Sequence, residues 1–314
     1  SVSVSPTSRP YNNSTVVALA STSVSNLTGI INNDSVGTDD SKLSASISTA
    51  DVATNKAVTV SVASGYLTGK HAANYLLPTV TGSPVLTVTQ TSQTALSWVS
   101  ALTTVYGQDI TLSATGGSGT GAITFAKTSG PCTVASSIVT PTSVGTCVVL
   151  VTRAADTNYT TQTLSGDVTI GQAAQSAVTM TNVTTVVYGS TLTLTATGGD
   201  GSGDYEFDHV IGQCSVVNGE LTPLGVGDCV VHARKLSSTN FVASAWSANQ
   251  TVSMTPKPLT VTVSPQNRQW NGDTSVVLAA TTAADLSGVE GNDTVGVDDN
   301  FLTASVATAD VGAN

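Results

Sequence analysis

Positive charge and aromatic rings are both scarce in this 314-residue chain. Ten Lys and Arg face 20 Asp and Glu, for a formal net charge of −10. A phosphate backbone or an anionic lipid surface would be repelled, which removes nucleic-acid binding and electrostatic membrane docking from the candidate functions. No stretch reaches the roughly 18 uninterrupted apolar residues of a membrane-crossing helix. Aromatics make up 4% of the chain and Met contributes 2 residues, so many small aliphatic cores fit better than one large core. No segment has the 3.6-residue apolar period of an amphipathic helix. The chain opens on Ser without an apolar leader, and neither end carries a lipidation signal, so any export signal is expected outside these residues.

What is abundant is Val, Ala, Leu and Ile interleaved with Thr and Ser. β-branched side chains pack well on a pleated surface, so this composition favours strands. The four cysteines, Cys132, Cys147, Cys214 and Cys229, form two pairs, each spaced by 15 residues. That spacing is not the C-x-x-C of a zinc knuckle or a redox site. An even count in a Thr/Ser-rich chain points to two disulfides and an oxidising compartment, with buried free thiols as the alternative.

Two internal repeats organise the sequence. At an offset of 82 residues, Tyr106-Gly107, Ala114-Thr115-Gly116-Gly117, Phe125, Cys132, Pro141, Cys147 and Val148-Val149 return as Tyr188-Gly189, Ala196-Thr197-Gly198-Gly199, Phe207, Cys214, Pro223, Cys229 and Val230-Val231. Gln90-x-x-Gln93 returns as Gln172-x-x-Gln175. At an offset of 259 residues, positions 1–55 return as 260–314 with 27 of the 55 identical, including Asn33-Asp34, Asp39-Asp40 and Ala50-Asp51-Val52. The chain therefore divides into a module at 1–89, a disulfide-bearing module at 90–171, its copy at 172–255, and a second, incomplete copy of the first module at 256–314. The last copy stops before the counterparts of Lys56–Val62 and of the apolar run Tyr75-Leu76-Leu77. Its core is expected to need further strands, from more repeats of the same polypeptide or from a neighbouring chain.

Within the second disulfide-bearing module, Thr191–Thr197 alternates with period two, which places Leu192, Leu194 and Ala196 inward on one strand. Gly198–Gly203 reads as a hairpin turn. Cys214–Val217, the turn dipeptide Asn218-Gly219, and Glu220-Leu221-Thr222 read as a hairpin. Val226–Arg234 reads as a long strand, so the disulfide would join adjacent or facing strands. About seven short strands in some 82 residues suggest an immunoglobulin-like sandwich.

These residues carry a resemblance. Tyr188-Gly189, Leu194, Ala196-Thr197-Gly198-Gly199, the Cys214/Cys229 pair and Asn240-Phe241, with their counterparts up to Asn158-Tyr159, resemble the bacterial Ig-like repeats of large surface proteins. Pro258–Val263, Arg268-Gln269-Trp270-Asn271-Gly272, Leu286-x-Gly288, Asp310-Val311-Gly312 and Asn74-Tyr75-Leu76-Leu77 resemble the YDG repeat, found beside MBG repeats in giant adhesins. Where that family has Tyr-Asp-Gly, this chain has Tyr11-Asn12-Asn13 and Trp270-Asn271-Gly272. The aromatic-then-turn pattern is kept, and any role of the Asp does not carry over.

Few residues suggest chemistry. His71, His209 and His232 have no partner at a mechanistically useful spacing. Asp34, Asp39 and Asp40, with Asp293, Asp298 and Asp299, offer hard oxygen ligands and are the candidate Ca²⁺ site, although no D-x-D-x-D-G loop is present; solvated turn residues are the alternative. The glycine-rich runs lack the Lys-Ser/Thr ending of a phosphate loop. Trp98, Trp246 and Trp270 sit singly in different modules, which favours core or inter-module packing over a sugar-stacking platform. Asn-x-Ser/Thr sequons at Asn13, Asn26, Asn33, Asn158, Asn182, Asn249 and Asn292 are candidate glycosylation sites.

The reading that follows is an all-β chain of tandem Ig-like β-sandwich modules arranged end to end as an elongated rod. Each sandwich would be about 30–40 Å long, from strands rising about 3.3 Å per residue. Short proline-bearing linkers such as Thr255-Pro256-Lys257-Pro258 would limit bending. The expected role is a non-enzymatic stalk or fibre segment of a long extracellular, cell-surface or secreted protein. It would need no cofactor unless Ca²⁺ binds, and its partners would be neighbouring repeats or further copies of the chain. The alternatives are a unit of a self-associating filament, sheath or surface layer, and a carbohydrate-binding stalk of a secreted hydrolase.

Overall fold

The computed structural model describes residues 1–181 and 184–311, and over these the chain is all-β. The helical content among the described residues is five 3-10 turns of three residues each. Two compact units divide after Gln172.

The first unit begins with small sheets. Strand Val85–Thr89 lies between Arg9–Pro10, parallel to it, and Ala53–Ala57, antiparallel to it. Leu43–Ser46 pairs with Thr59–Val62. Leu86 and Val88 of the central strand pack with Val17, Ala45, Ile47 and Val58 in one core, and Val2, Val4 and Tyr66 form a second. The strand that closes the first core is thus Val85–Thr89. The apolar run at Tyr75–Leu77 does not close it: Leu76 is 93% exposed.

Residues beyond Thr89 build a sandwich. One sheet has four strands, in the order Ile123–Ser129, Gly145–Arg153, Gln162–Gly171, Thr103–Val105. The other has three, in the order Ile110–Thr111, Ile138–Pro141, Cys132–Ala135. Alternation explains the faces: on Gly145–Arg153, Cys147, Val149 and Val151 are buried, and Val148, Leu150 and Thr152 are half-exposed. The inward residues meet Leu112, Val139, Val168 and Ile170. Cys132 and Cys147 are bonded, so the disulfide joins the two sheets through the core.

The second unit repeats that plan. Its four-stranded sheet runs Thr185–Val187, Gln250–Thr255, Gly227–Lys235, Tyr205–Gly212, and its three-stranded sheet runs Leu192–Thr193, Glu220–Pro223, Cys214–Val217. Cys214 is bonded to Cys229. The Asn218-Gly219 turn forms as the dipeptide predicts, with φ values of 52° and 78°, the left-handed pair that a two-residue hairpin requires.

Two expectations are corrected. Thr191–Thr197 is not one strand. Leu192–Thr193 pairs with the three-stranded sheet and Ala196–Gly198 pairs with Val178–Met180, so the chain changes sheets at buried Leu194. Gly198–Gly203 is accordingly a crossing between sheets rather than a hairpin turn. It leads from the Val178–Met180 pair to strand Tyr205–Gly212.

After Thr255 the pairing becomes sparse: Thr260–Val261 with Leu286–Ser287, and single bridges at Pro265–Leu278 and Ser275–Ser305. In the first copy Val17 and Ile47 are 5% and 4% exposed; of their counterparts, Val276 is half-buried and Val306 is 47% exposed. No described residue beyond Met254 belongs to a buried core cluster.

Candidate functional site

For a chain of repeats the positions that decide mechanical behaviour are the joints, and the first unit contains one in full. Strand Val85–Thr89 runs through Gln90 directly into a bridge between Thr91 and Tyr159. Thr91 donates its N–H to the Asn158 carbonyl at 3.1 Å, and Thr160 donates to the Thr91 carbonyl at 2.9 Å. Gln90 Nε2 donates to the carbonyls of Asp156 and Tyr159. The connection between the two modules therefore has no slack residue.

Asp156 shapes the corner that receives this connection. Its Oδ1 accepts the N–H groups of Asn158 and Tyr159, both at 2.9 Å, and its Oδ2 accepts from Thr120 N at 2.6 Å. The Thr120 N–H first, then the Asn158 N–H, hold this carboxyl below its ordinary range, because each bond favours the ionised form.

The corner presents Asn158 and Tyr159 to the first module. Asn158 Oδ1 accepts the Val52 N–H at 2.9 Å, and its Nδ2 donates to Asp51 Oδ1 at 3.0 Å. One side-chain amide thus spans the joint with both of its ends used. Tyr159 meets Tyr11 edge-to-face, with centroids 5.3 Å apart and planes at 78°, a favoured geometry for two rings. Tyr11 is anchored by its own N–H on the Thr89 carbonyl.

The second unit holds a different joint, between its sandwich and residues 256–311. Lys257 Nζ pairs with Glu290 Oε1, and Tyr188 OH lies 3.4 Å from Asp293 Oδ1. The hydrogen bond that Tyr188 OH donates to Asp293, and then the negative charge of that carboxylate, raise the Tyr188 hydroxyl above its ordinary pKa, because both favour the protonated phenol.

The candidate Ca²⁺ ligands are dispersed. Asp34 accepts from Tyr75 OH at 2.6 Å and lies 3.3 Å from His71 Nδ1. Asp39 caps a 3-10 turn by accepting the Ser41 N–H, and Asp40 accepts the Thr22 N–H. Asp298 and Asp299 repeat those two roles with Asn300 and Thr281. Among the described residues, no three His, Cys, Asp or Glu side chains converge as a metal site would require.

The sequons are placed as follows. Asn158 Nδ2, the atom a glycan would occupy, is committed to Asp51 within the joint. Asn13 sits in a turn at φ 57° and accepts from Tyr11 OH. Asn26 accepts the Ser23 N–H. Asn249 is exposed, and Asn182 lies outside the described residues.

Of the tryptophans, Trp98 stacks on Phe125 at the core edge and covers Gly166, where a Cβ would lie 2.6 Å from the indole. Trp270 is 68% exposed. Trp246 departs from the core-packing expectation and lies on an outer sheet face against His232 and Arg234.

The sequence does not show the role of the one glutamine that ties each sandwich together, Gln93 in the first and Gln175 in the second. Gln93 is 6% exposed; its Nε2 donates to the carbonyls of Ala154 and Thr160, and its Oε1 accepts the Gly119 N–H. Gln175 does the same with Leu236, Val242 and Gly201. Their recurrence in Gln-x-x-Gln was the available signal.

Comparison with known proteins adds the following. The YDG domain family model matches residues 1–82 and 255–314, the two segments related by the 259-residue offset. No curated protein matches the chain. Among solved structures, the chain is similar to the fibronectin(III)-like modules of Clostridium thermocellum CbhA, at 17% identity over 51% of this chain and 94% of that one, with a TM-score of 0.23. Domains 4 and 5 of the S-layer protein SbsC match at 17% identity over 52% and 100%, with a TM-score of 0.22. A SusE-like surface-located polysaccharide binding protein from Bacteroides thetaiotaomicron matches at 11% identity over 63% and 42%, with a TM-score of 0.22. Scores at this level do not establish a common overall arrangement.

Proposed function

We propose that this chain is a non-catalytic spacer, a segment of the stalk or fibre of a long, repetitive, extracellular protein of the bacterial adhesin kind. The observation that carries this reading is the first joint. A connection without slack residues, an Asn158 amide bonded at both ends and a Tyr11–Tyr159 contact together favour one orientation of neighbouring modules over many. Two cross-sheet disulfides suit an oxidising compartment outside the cell. The partners in this reading are neighbouring repeats, and no cofactor or calcium is required.

A second reading, self-association into a filament or layer, is favoured by one observation. Trp270, Phe301 and Val311 are 68%, 85% and 87% exposed, and among the described residues 256–311 none belongs to a buried core.

Small-angle scattering tests the spacer. A compact 314-residue body has a radius of gyration of about 20 Å. The expected value lies well above that, with a monomeric mass and no change on adding calcium. A value near about 20 Å would sink the spacer, and a concentration-dependent rise in mass would favour the filament.

A further inference from the structure

The second sandwich has a surface feature that its sibling lacks. In the first sandwich, strand Gln162–Gly171 pairs with Gly145–Arg153 along its whole length, from Gly145↔Ile170 to Arg153↔Gln162. In the second, the matching pairing stops at Val231↔Gln250. The cause is an insertion: eight residues separate Tyr159 from Val168, and ten separate their counterparts Phe241 and Val252.

The longer segment leaves the regular ladder, and two serines take over its hydrogen bonds. Ser247 donates its N–H to the Ala233 carbonyl and accepts the Ala233 N–H on Oγ. Ser244 does the same with Lys235, and is 8% exposed. Trp246 lies between these two fixed points. Its indole is laid across the outer face of the four-stranded sheet, parallel to the His232 ring at 4.0 Å and 8°, with the Arg234 guanidinium 4.5 Å from its centroid.

The neighbouring strand places a carboxylate beside each of the two side chains that touch the indole. Arg234 Nε is bonded to Glu206 Oε2 at 2.5 Å, so each of the two charges already has a partner. Asp208, 64% exposed at its side chain, lies 3.9 Å from His232 Nε2. The equivalents in the first sandwich are Thr124, Ala126, Leu150 and Thr152, which offer no ion pair and no ring.

We propose that Trp246, Glu206, Asp208, His232 and Arg234 form a binding site for a neutral pyranose of a glycan. A half-buried indole held at two anchor points is a flat, pre-ordered surface. Its face carries the negative lobe of the ring quadrupole, which attracts the slightly positive C–H groups on a sugar's flat side. The hydroxyls at the sugar's edge then meet the exposed Asp208 carboxylate and the rim of the Glu206–Arg234 pair, while His232 supports the indole from below. Because Arg234 is already paired and the whole chain carries −10, an acidic sugar is disfavoured and a neutral one is accepted. The site is independent of the spacer reading: a rigid or a flexible chain presents it equally.

Calorimetric titration of the full chain with cellohexaose, maltohexaose, mannohexaose and chitohexaose tests this. At least one is expected to bind with a Kd of about 0.1–1 mM, the range one sugar-sized contact supports. Trp246→Ala is expected to weaken that binding at least about tenfold, since it truncates the aromatic anchor of the contact. Trp270→Ala is expected to leave it unchanged. Should Trp246→Ala melt early, Trp246→Phe, which keeps a flat ring, is expected to retain part of the binding, and Asp208→Asn, which keeps the shape, to weaken it. Silence toward all four sugars, or undiminished binding in Trp246→Ala, would overturn the proposal.

Discussion

The two disulfide-bearing sandwiches are the same sequence pattern folded twice, and they differ where their edges meet other things. Both join their sheets through a disulfide at the same register, Cys147 opposite Val168 and Cys229 opposite Val252. Both tie a glycine loop to the segment after their long strand with one glutamine, Gln93 or Gln175. Yet one places Trp98 at its core edge where the other has Met180, and one places an aromatic and charged cluster on its outer face where the other has Thr, Ala and Leu. The lesson is that the interior defines the module and its periphery is free to specialise.

The strongest test of this equivalence removes the staples. Replacing Cys132 and Cys147 by Ala should destabilise the first sandwich by about 3 kcal/mol, because the unfolded chain regains the entropy that closing a loop of about 15 residues removes. Replacing Cys214 and Cys229 should cost the second sandwich the same. Hydrogen exchange resolved to Gly145–Arg153 and Gly227–Lys235 reads the two separately. Unequal losses of protection would break the claim that the interiors are interchangeable.

A smaller effect is expected from exchanging the residues that differ. Trp98→Met leaves a void beside Phe125 and over Gly166, for a loss of about 2 kcal/mol. Met180→Trp forces a larger side chain against Val178, Val186 and Leu194, for a loss of about 1–3 kcal/mol. Thermal melts of each variant decide it. If Met180→Trp stabilises the chain, the second sandwich already has room for the ring, and the two cores differ less than their residues suggest.

Much of this was legible beforehand. The inward alternation of Leu192, Leu194 and Ala196, the Asn218-Gly219 hairpin and the cysteine pairs all follow from local spacing, and the structure has them. The change of sheet at Leu194 was not legible, because alternation says which side chains turn inward and nothing about which strand they pair with. The roles of Gln93 and Asn158 were not legible for a related reason. Each acts on backbone groups 26 to 106 positions away, as in Gln93 with Gly119 and Asn158 with Val52. Asn158 stood out as a sequon and as part of the repeated Asn158-Tyr159 pair, and neither signal says that its amide bridges the joint. Trp246 was misjudged because the count of tryptophans per module, one, gave no hint that two inserted residues lift it out of the ladder.

The smallest expected effect separates the two corners by pH. In the first sandwich the corner is held by Asp156; its counterpart in the second is Ser238, which does not titrate. The Asp156 carboxyl is held below its ordinary range in the folded chain by the Thr120 and Asn158 N–H groups. A depressed folded value means the contribution is complete above the unfolded value of about 3.9 and fades as pH falls through the lower folded value. Acid should therefore loosen the Asn158–Tyr159 corner, and with it the bond to Asp51, while the Asn240–Phe241 corner stays as it is. Amide chemical shifts followed from pH 6 to about 2 would show Asn158 and Tyr159 moving together below about pH 4, the ordinary carboxylate range, and Asn240 and Phe241 still. Parallel movement in both corners would mean that Asp156 is not what holds the first one, and that the joint owes its geometry to Gln90 and the Tyr11–Tyr159 contact instead.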